Sequence, residues 1–399
     1  MDPSNFRSET PKISFIAFSN TWGRIDANRL IFGRIIVLIQ CHQFGWKITA
    51  CLLFSCAYLL APSSAGAEPA ATAGGLPPLS AEEASAYAAI PSDPPPKKLN
   101  RNSHFFISDE KGHEWWRPVI DDLGGALIGV GTNQNYALAG WAKSEVLFLV
   151  DFDQYIVDLH GAYRVAFETS KTPLEFIAFW SKKRKTRSMR TLKKHFKDPG
   201  ERKRVLRSFR MARAFVHRTL RRLRWKFRKA KVPCFMADQK SYDYIVDLHR
   251  KNRVFAIRGD LTATKTINGI AQSLKRFNRE VGIIYVSNAE GYFGRRRVPR
   301  QYLENLIALP SNEKSRILRT YPWRAKGDKY HQYAFIHQEF SHLKSWYDTR
   351  PSFGLYQMIG RPRINGRAVA STRSPKVKPK KRRYRRSAKL RKRKSKKKR

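Results

Sequence analysis

Apolar residues along the middle of the chain recur in alternating strand and helix patterns. Ala126 to Val130 is a short, continuously apolar run, as expected of a buried strand, and Gly129-Val130-Gly131 ends it in a tight turn. Asn135 to Trp141 predicts a helix. Val146 to Val150 predicts a second strand that ends at Asp151 and Asp153, and Ile156 to Phe167 predicts a second helix. The alternation resumes downstream. Arg253 to Ile257 predicts a strand ending at Gly259-Asp260, Lys265 to Phe277 a helix, and Val281 to Val286 a strand that runs into Ser287-Asn288-Ala289-Glu290. Strands without polar alternation are strands covered on both faces, so the pattern predicts an α/β domain with a parallel sheet between helical layers. The stretch YHQYAFIHQEFSHLKSWY, with His331, His337 and His342, reads as a packed helix.

Other stretches have different patterns. In 201–230, Leu206, Phe209, Phe215, Val216, Leu220, Leu223 and Phe227 recur at helical spacings after the turn signal Asp198-Pro199-Gly200. This predicts a basic helix with one apolar stripe, within a helical insertion over 181–231. Residues 48–62 form an apolar run preceded by Lys47 and followed by Ala65-Gly66-Ala67, the layout of a signal peptide cleaved after Ala67. The Ala/Pro-rich stretch 68–103 reads as a disordered linker, and 366–399 as a disordered polybasic tail. The folded α/β domain is then expected over 104–365.

Charge sharpens this division. The chain has 399 residues and a formal net charge of +48. Residues 182–231 hold 23 Lys or Arg against Asp198 and Glu201, and residues 373–399 hold 18 and no acid. Both segments predict a polyanionic partner: nucleic acid, lipid headgroups or envelope polysaccharide. Cys41, Cys51 and Cys56 fall in the leader, so Cys234 alone would remain in the mature chain, too few for a cysteine metal site or an internal disulfide. The histidines at 160 and 249 each follow an Asp by two positions. That spacing separates the two side chains around a helix, so no metal site is expected.

Candidate chemistry lies at the strand ends. Strand, glycine turn, helix, strand and acid, with 22 residues from Gly129 to Asp151, form the pattern of a nucleotide-binding half of a doubly wound, Rossmann-like sheet. Gly129 and Gly131 would let the backbone approach a ligand, and Asp151 would accept hydrogen bonds from ribose hydroxyls. The amides of Asn133, Gln134 and Asn135 can donate to and accept from a polar ligand. Asp153, Gly259, Asp260, Lys265, Ser287 and Asn288 complete the candidate ligand site, because parallel strands bring their carboxyl ends to one edge. The same acids and amides could instead begin loops and cap helices.

The stretch GVGTNQNYALAGWAKSEVLFLVDFDQYIVDLHGAYRVAFE resembles the signature of a family of uncharacterised bacterial proteins. The matching residues are Gly129, Val130, Gly131, Gln134, Asn135, Tyr136, Val150, Asp151, Asp158, Leu159, His160 and Tyr163, with Gly259, Asp260, Lys265 and the 284–292 stretch downstream. The resemblance implies a fold similar to class I S-adenosylmethionine-dependent methyltransferases, hence a methyltransferase-type sheet and S-adenosylmethionine as the cofactor to consider. Where the methyltransferase pattern has an acid and a third glycine, this chain has Leu127 and Asn133.

The expected protein is therefore an exported, periplasmic or envelope-associated chain with a methyltransferase-like domain for a polar small ligand and basic segments for an anionic polymer. An active methyltransferase and a sequence-independent nucleic-acid binder are the alternatives, the latter cytoplasmic if the leader is not used. N-terminal sequencing of the mature protein should begin at Glu68. An intact N-terminus recovered from the cytosolic fraction would overturn the export reading.

Overall fold

The computed structural model describes residues 75–99, 102–293, 296–323, 332–360 and 367–375. The leader expected over 1–67 and the tail beyond 375 lie outside the described residues. Among the described residues, seven strands form one sheet: β1 (Ala126–Val130), β2 (Val146–Asp151), β3 (Val254–Arg258), β4 (Val281–Ser287), β5 (Arg316–Trp323), β6 (Gln332–Glu339) and β7 (Val369–Ala370). Their order is β3-β2-β1-β4-β5-β6-β7. The first five are parallel, β6 is antiparallel to β5, and β7 runs parallel to β6. The chain thus builds outward from β1 through β2 to β3, then returns to place β4 on the other side of β1. The carboxyl ends of β1 and β4 flank the point where the direction reverses, which is where open α/β sheets bind ligands.

Helices cover both faces. Among those described, α1 (Ala81–Ala88), α2 (Arg117–Ile120), α3 (Gln134–Ala142), α4 (Gln154–Thr169), α5 (Pro173–Phe179), α6 (Lys185–His195), α7 (Pro199–Lys229) and α8 (Gln239–Arg250) come before β3. After it come α9 (Thr266–Arg276), α10 (Glu290–Phe293), α11 (Arg300–Ala308), α12 (Phe340–Thr349) and α13 (Leu355–Ile359). Leu127, Leu147 and Leu149 point into one apolar layer with α3, α4, α7 and α8. Ala126, Ile128, Phe148 and Val150 point into the other with α1, α9, α11 and α12. With both faces buried, a strand gains nothing from polar alternation, so these strands are apolar throughout.

The basic region is helical, as its spacing predicts, and it is built into the domain. On α7, Val205, Leu206, Phe209, Val216, Leu220 and Phe227 enter the same core as α4 and α8. Phe215, counted in the predicted stripe, instead faces outward at 50% exposure.

Three expectations are corrected. The stretch 68–103 does not read through as a linker: residues 75–99 are described, and they carry α1. Ser80 accepts from the Glu83 N–H at 3.1 Å and starts the helix. Tyr87 is fully buried, with ring contacts to Phe148, Phe255 and Phe277 at 5.1–5.8 Å. Arg253 reaches back to hold the Pro77 carbonyl at 2.6 Å. The expected tail also begins too early at 366. Val369 and Ala370 pair with β6, and the Arg373 carbonyl accepts from the Trp346 indole N–H at 2.6 Å. Finally, the histidine-bearing stretch read as one helix is β6 followed by α12. Tyr333 and Phe335 face one core layer while Ala334 and Ile336 face the other, a period of two hidden by burial on both sides.

Tyr87→Ala should therefore cost roughly 3 kcal/mol or more in urea denaturation, the range for emptying an aromatic-sized volume in a core. A stability equal to wild type would mean that α1 is not part of the folded domain.

Candidate functional site

A cavity of about 240 Å³ opens at the carboxyl ends of β1, β2 and β4. Gly131, Gln134, Asp151, Asp153, Ser287 and Asn288 of the sequence-predicted set line it. The turn after β1 gives the cavity its floor. Gly131 has φ +90°, a conformation open to glycine, and a Cβ there would meet the Gln134 amide at 2.4 Å. The turn uses some of its polar groups internally, while the Asn135 side-chain oxygen is buried without a hydrogen-bond partner. Gln134 donates to the Val130 carbonyl at 3.1 Å, and its side-chain oxygen accepts from the Thr132 N–H at 3.2 Å. From α4, His160 lies 2.9 Å from the Gly131 carbonyl and 2.9 Å from the Tyr136 hydroxyl. Burial pushes its imidazole down to about 4. A neutral ring that donates to the carbonyl and accepts from the tyrosine satisfies both contacts. The Asp-Leu-His stretch of α4 is thus a brace for the turn.

Asp151 is the central acid. Its carboxylate accepts from the backbone N–H of Asp153 at 2.9 Å, and the backbone N–H groups of Gly131 and Phe152 also favour its charge. Burial outweighs these bonds and, with the nearby Asp153 charge, raises its pKa to about 7. Asp153 caps α4 by accepting from the Tyr155 N–H at 3.0 Å and pairs with His104 at 2.7 Å. Across the cavity the Tyr333 hydroxyl donates to Asp109 at 2.7 Å and accepts from Asn288 at 3.2 Å. Ser287, at φ +53°, adopts the left-handed conformation without being glycine, a local strain of the kind that gathers at ligand sites. Phe105 and Tyr292 line the cavity with rings 43% and 53% exposed.

The segment before α2 closes the cavity, and Glu110 ties it down. This carboxylate accepts from Tyr285, Ser287, Thr320 and His113, with Ser287 at 2.7 Å and His113 at 3.1 Å. Burial alone would raise its pKa, but the hydrogen bond and charge of His113, with the hydroxyl donors, hold it below the ordinary carboxylate range.

The remaining sequence-predicted residues lie elsewhere. Gly129 faces Asn135, whose side-chain oxygen would be 2.2 Å from a Cβ there, and Asn135 is fully buried behind the turn. Asn133 lines a neighbouring cavity of about 350 Å³, which shares Ser108 and Gln134 with the first and is bordered by Trp225 of α7. Gly259 packs on Val150 and Thr266 and donates to the Asp151 carbonyl at 3.0 Å. Asp260 and Lys265 share the edge with Asp151 but not its cavity, because an internal carboxylate occupies the loop before α9. Asp93 accepts there from the N–H groups of Asp260 and Lys265 at 3.0 and 3.1 Å. The Asp260 carboxylate meanwhile caps Thr262 at 2.8 Å. Glu290 is buried against Arg319 at 2.7 Å and does not line the cavity.

Asp109, Glu110, Phe105 and Tyr333 were not singled out in the sequence. They reach the site from outside the strand–helix repeat, and no local pattern announces them. Among the described residues no group of three or more His, Cys, Asp or Glu is placed to hold a metal, and no helix is long and apolar enough to cross a membrane.

The residues present do not fit the whole of S-adenosylmethionine. Asp151 stands where ribose hydroxyls would be held. The acid of the methionine end is replaced by the fully buried Leu127, and the open side of Gly129 is filled by Asn135.

Asp151 also shapes stability against pH. Its folded pKa of about 7 lies above the ordinary 3.8, so between these values the native state keeps a proton that the unfolded chain has lost. Its contribution to stability therefore falls as pH rises through that window. Asp151→Asn should gain stability relative to wild type from pH 4 to pH 7 in parallel thermal melts. A difference independent of pH would show the carboxyl to be ionised throughout.

A search of curated proteins finds no match. The family described as Domain of unknown function (DUF7790) matches residues 105–373, which contain the sheet, the crevice and the basic helices. With about two thirds of its length matched, the chain belongs to that family.

Proposed function

We propose that the domain binds a small, uncharged, hydroxyl-bearing ligand of nucleoside type in the crevice, and that its basic segments hold an anionic polymer. The observation that carries the first part is Asp151, held by the turn backbone and lining a cavity at the topological switch point. A carboxyl so placed accepts from vicinal hydroxyls. The exposed rings of Phe105 and Tyr292 offer a flat ligand ring an apolar surface.

Charge argues against a phosphate in the same place. Asp109, Asp151 and Asp153 line the cavity, and among the described residues no Lys or Arg does. Of the turn N–H groups, that of Thr132 already serves Gln134 and that of Asn135 the Thr132 carbonyl. The crevice therefore favours a nucleoside over a nucleotide. Methyl transfer is the alternative activity that the sequence resemblance suggests.

The second part rests on 182–231 and 373–399, which carry most of the positive charge. Polyanion binding through them would be strongly salt-dependent.

Calorimetry with adenosine and with S-adenosylmethionine tests the crevice. Adenosine should bind, and Asp151→Ala should weaken it by about 1–3 kcal/mol, the cost of leaving ligand hydroxyls unpaired. 2′-Deoxyadenosine should show a loss of the same order. No heat at millimolar adenosine, with the fold intact, would remove the ligand reading. Tighter binding of S-adenosylmethionine than of adenosine would restore the methyltransferase reading.

A further inference from the structure

The outer face of α7 is not an ordinary solvated helix surface. The helix has thirteen Lys or Arg against Glu201 as its single acid, and ten of the thirteen are arginine. Among the described residues, the α7 cations form ion pairs with acids only at Arg204–Asp158 and Lys226–Glu114. Solvated faces normally interleave both signs. Here like charges are crowded instead. Burial and the neighbouring Arg228 push the Arg224 guanidinium below its ordinary range, and the Arg224 Nε is buried with no hydrogen-bond partner. A groove of about 700 Å³ runs between α5 and the second half of α7, lined by Arg221, Arg224, Arg228 and Lys229 with no acid.

Aromatic side chains stand among these cations. Trp225 lines the groove and is 66% exposed, with the Lys229 ammonium 5.2 Å from its ring centroid. Phe215, 50% exposed, has the Arg218 guanidinium at 5.8 Å. The two rings are ten residues apart, about 15 Å along the helix at 1.5 Å per residue.

We propose that single-stranded nucleic acid lies in the α5–α7 groove, with its phosphates on Arg221, Arg228 and Lys229 and an unpaired base on the Trp225 ring. This rests on the reading that the basic region holds an anionic polymer and names that polymer. Arginine forks match phosphate oxygens in pairs, and exposed aromatic rings stack bases without regard to sequence. A lipid surface fits less well. An interfacial helix buries a continuous apolar face in the membrane, and the continuous apolar face of α7 is already packed into the core. What is left outside is Met211, Phe215 and Trp225, separated by arginines. A bound strand passing Trp225 would also lie beside the cavity that adjoins the crevice.

The test measures binding of the full chain to labelled twelve-residue oligouridylate and oligodeoxythymidylate, to inorganic polyphosphate, to heparin and to phosphatidylglycerol vesicles, over a salt series. Trp225→Ala should weaken oligonucleotide binding about ten-fold, Trp225→Phe should restore most of it, and neither should alter polyphosphate binding. Replacing Arg221 and Arg228 together by Ala should weaken oligonucleotide and polyphosphate alike and lower the salt slope by about 1.4, or 0.7 for each lost phosphate contact. Circular dichroism should be unchanged in all three variants, since these side chains are exposed. Oligonucleotide binding indifferent to Trp225→Ala would overturn the inference, leaving the polymer reading to stand on charge alone. Tighter binding of heparin or of vesicles would assign the groove to that polymer or surface instead. Failure to bind any of these polyanions would remove both the inference and the reading beneath it.

Discussion

The turn after β1 is the constraint on which the site depends. Its Gly131 backbone faces the Asp151 carboxyl at the end of β2 and favours its charge, and its Gly131 carbonyl lies 2.9 Å from His160 on α4. Its Val130 carbonyl accepts from Gln134 and Asn135 at the start of α3. Three elements that diverge from the sheet edge thus meet at one short turn, two of them through partly buried hydrogen bonds. Each such bond contributes only about 1 kcal/mol, but leaving a buried partner unsatisfied costs more, so the turn resists rearrangement. The same commitments leave the turn with little to offer an anion. What the crevice presents is carboxylate and hydroxyl chemistry.

Much of this was legible because it is local in sequence. The apolar runs of β1, β2, β3 and β4 and the helices between them follow from periodicity. With parallel strands, the right-handed crossover brings Gly131, Asp151, Ser287 and Asn288 to one edge. The rest depends on contacts that no local pattern encodes. Asp260 and Lys265 sit at the correct edge, yet Asp93, more than 160 residues earlier, takes the N–H groups that a ligand would have used. That residue lies in the stretch whose Ala and Pro content reads as linker. A local signal was nevertheless present. Ser80 and Glu83 stand at capping-box spacing, and Tyr87 follows on the same helix. Composition averaged over the stretch outweighed it. The β6 error has a different cause: with both faces buried, the run lacks the polar alternation that marks a strand.

Electrostatics divides the molecule between two tasks. Several acids lie inside the domain: Glu110 holds the roof, Glu290 pairs with Arg319, Asp93 fills a helix start, and Asp151 and Asp153 line the crevice. The surface of α7 is left with cations that have almost no internal counter-charge. This is an unfavourable arrangement for an isolated domain, since like charges repel and the arginines lose hydration where they are crowded. Stability is maintained by the opposite face of the helix, whose Phe209, Val216 and Leu220 are fully buried. At about 1.5–3 kcal/mol for each large apolar side chain removed from water, that face outweighs the repulsion along a solvated surface. The apolar stripe thus allows α7 to carry charge that a less firmly anchored helix could not. Because that repulsion is tolerated rather than neutralised, the outer face retains its attraction for a polyanion. Surface acids elsewhere pair with other cations, as Asp121 does with Arg117 and Asp348 with Lys344, so they do not neutralise that face.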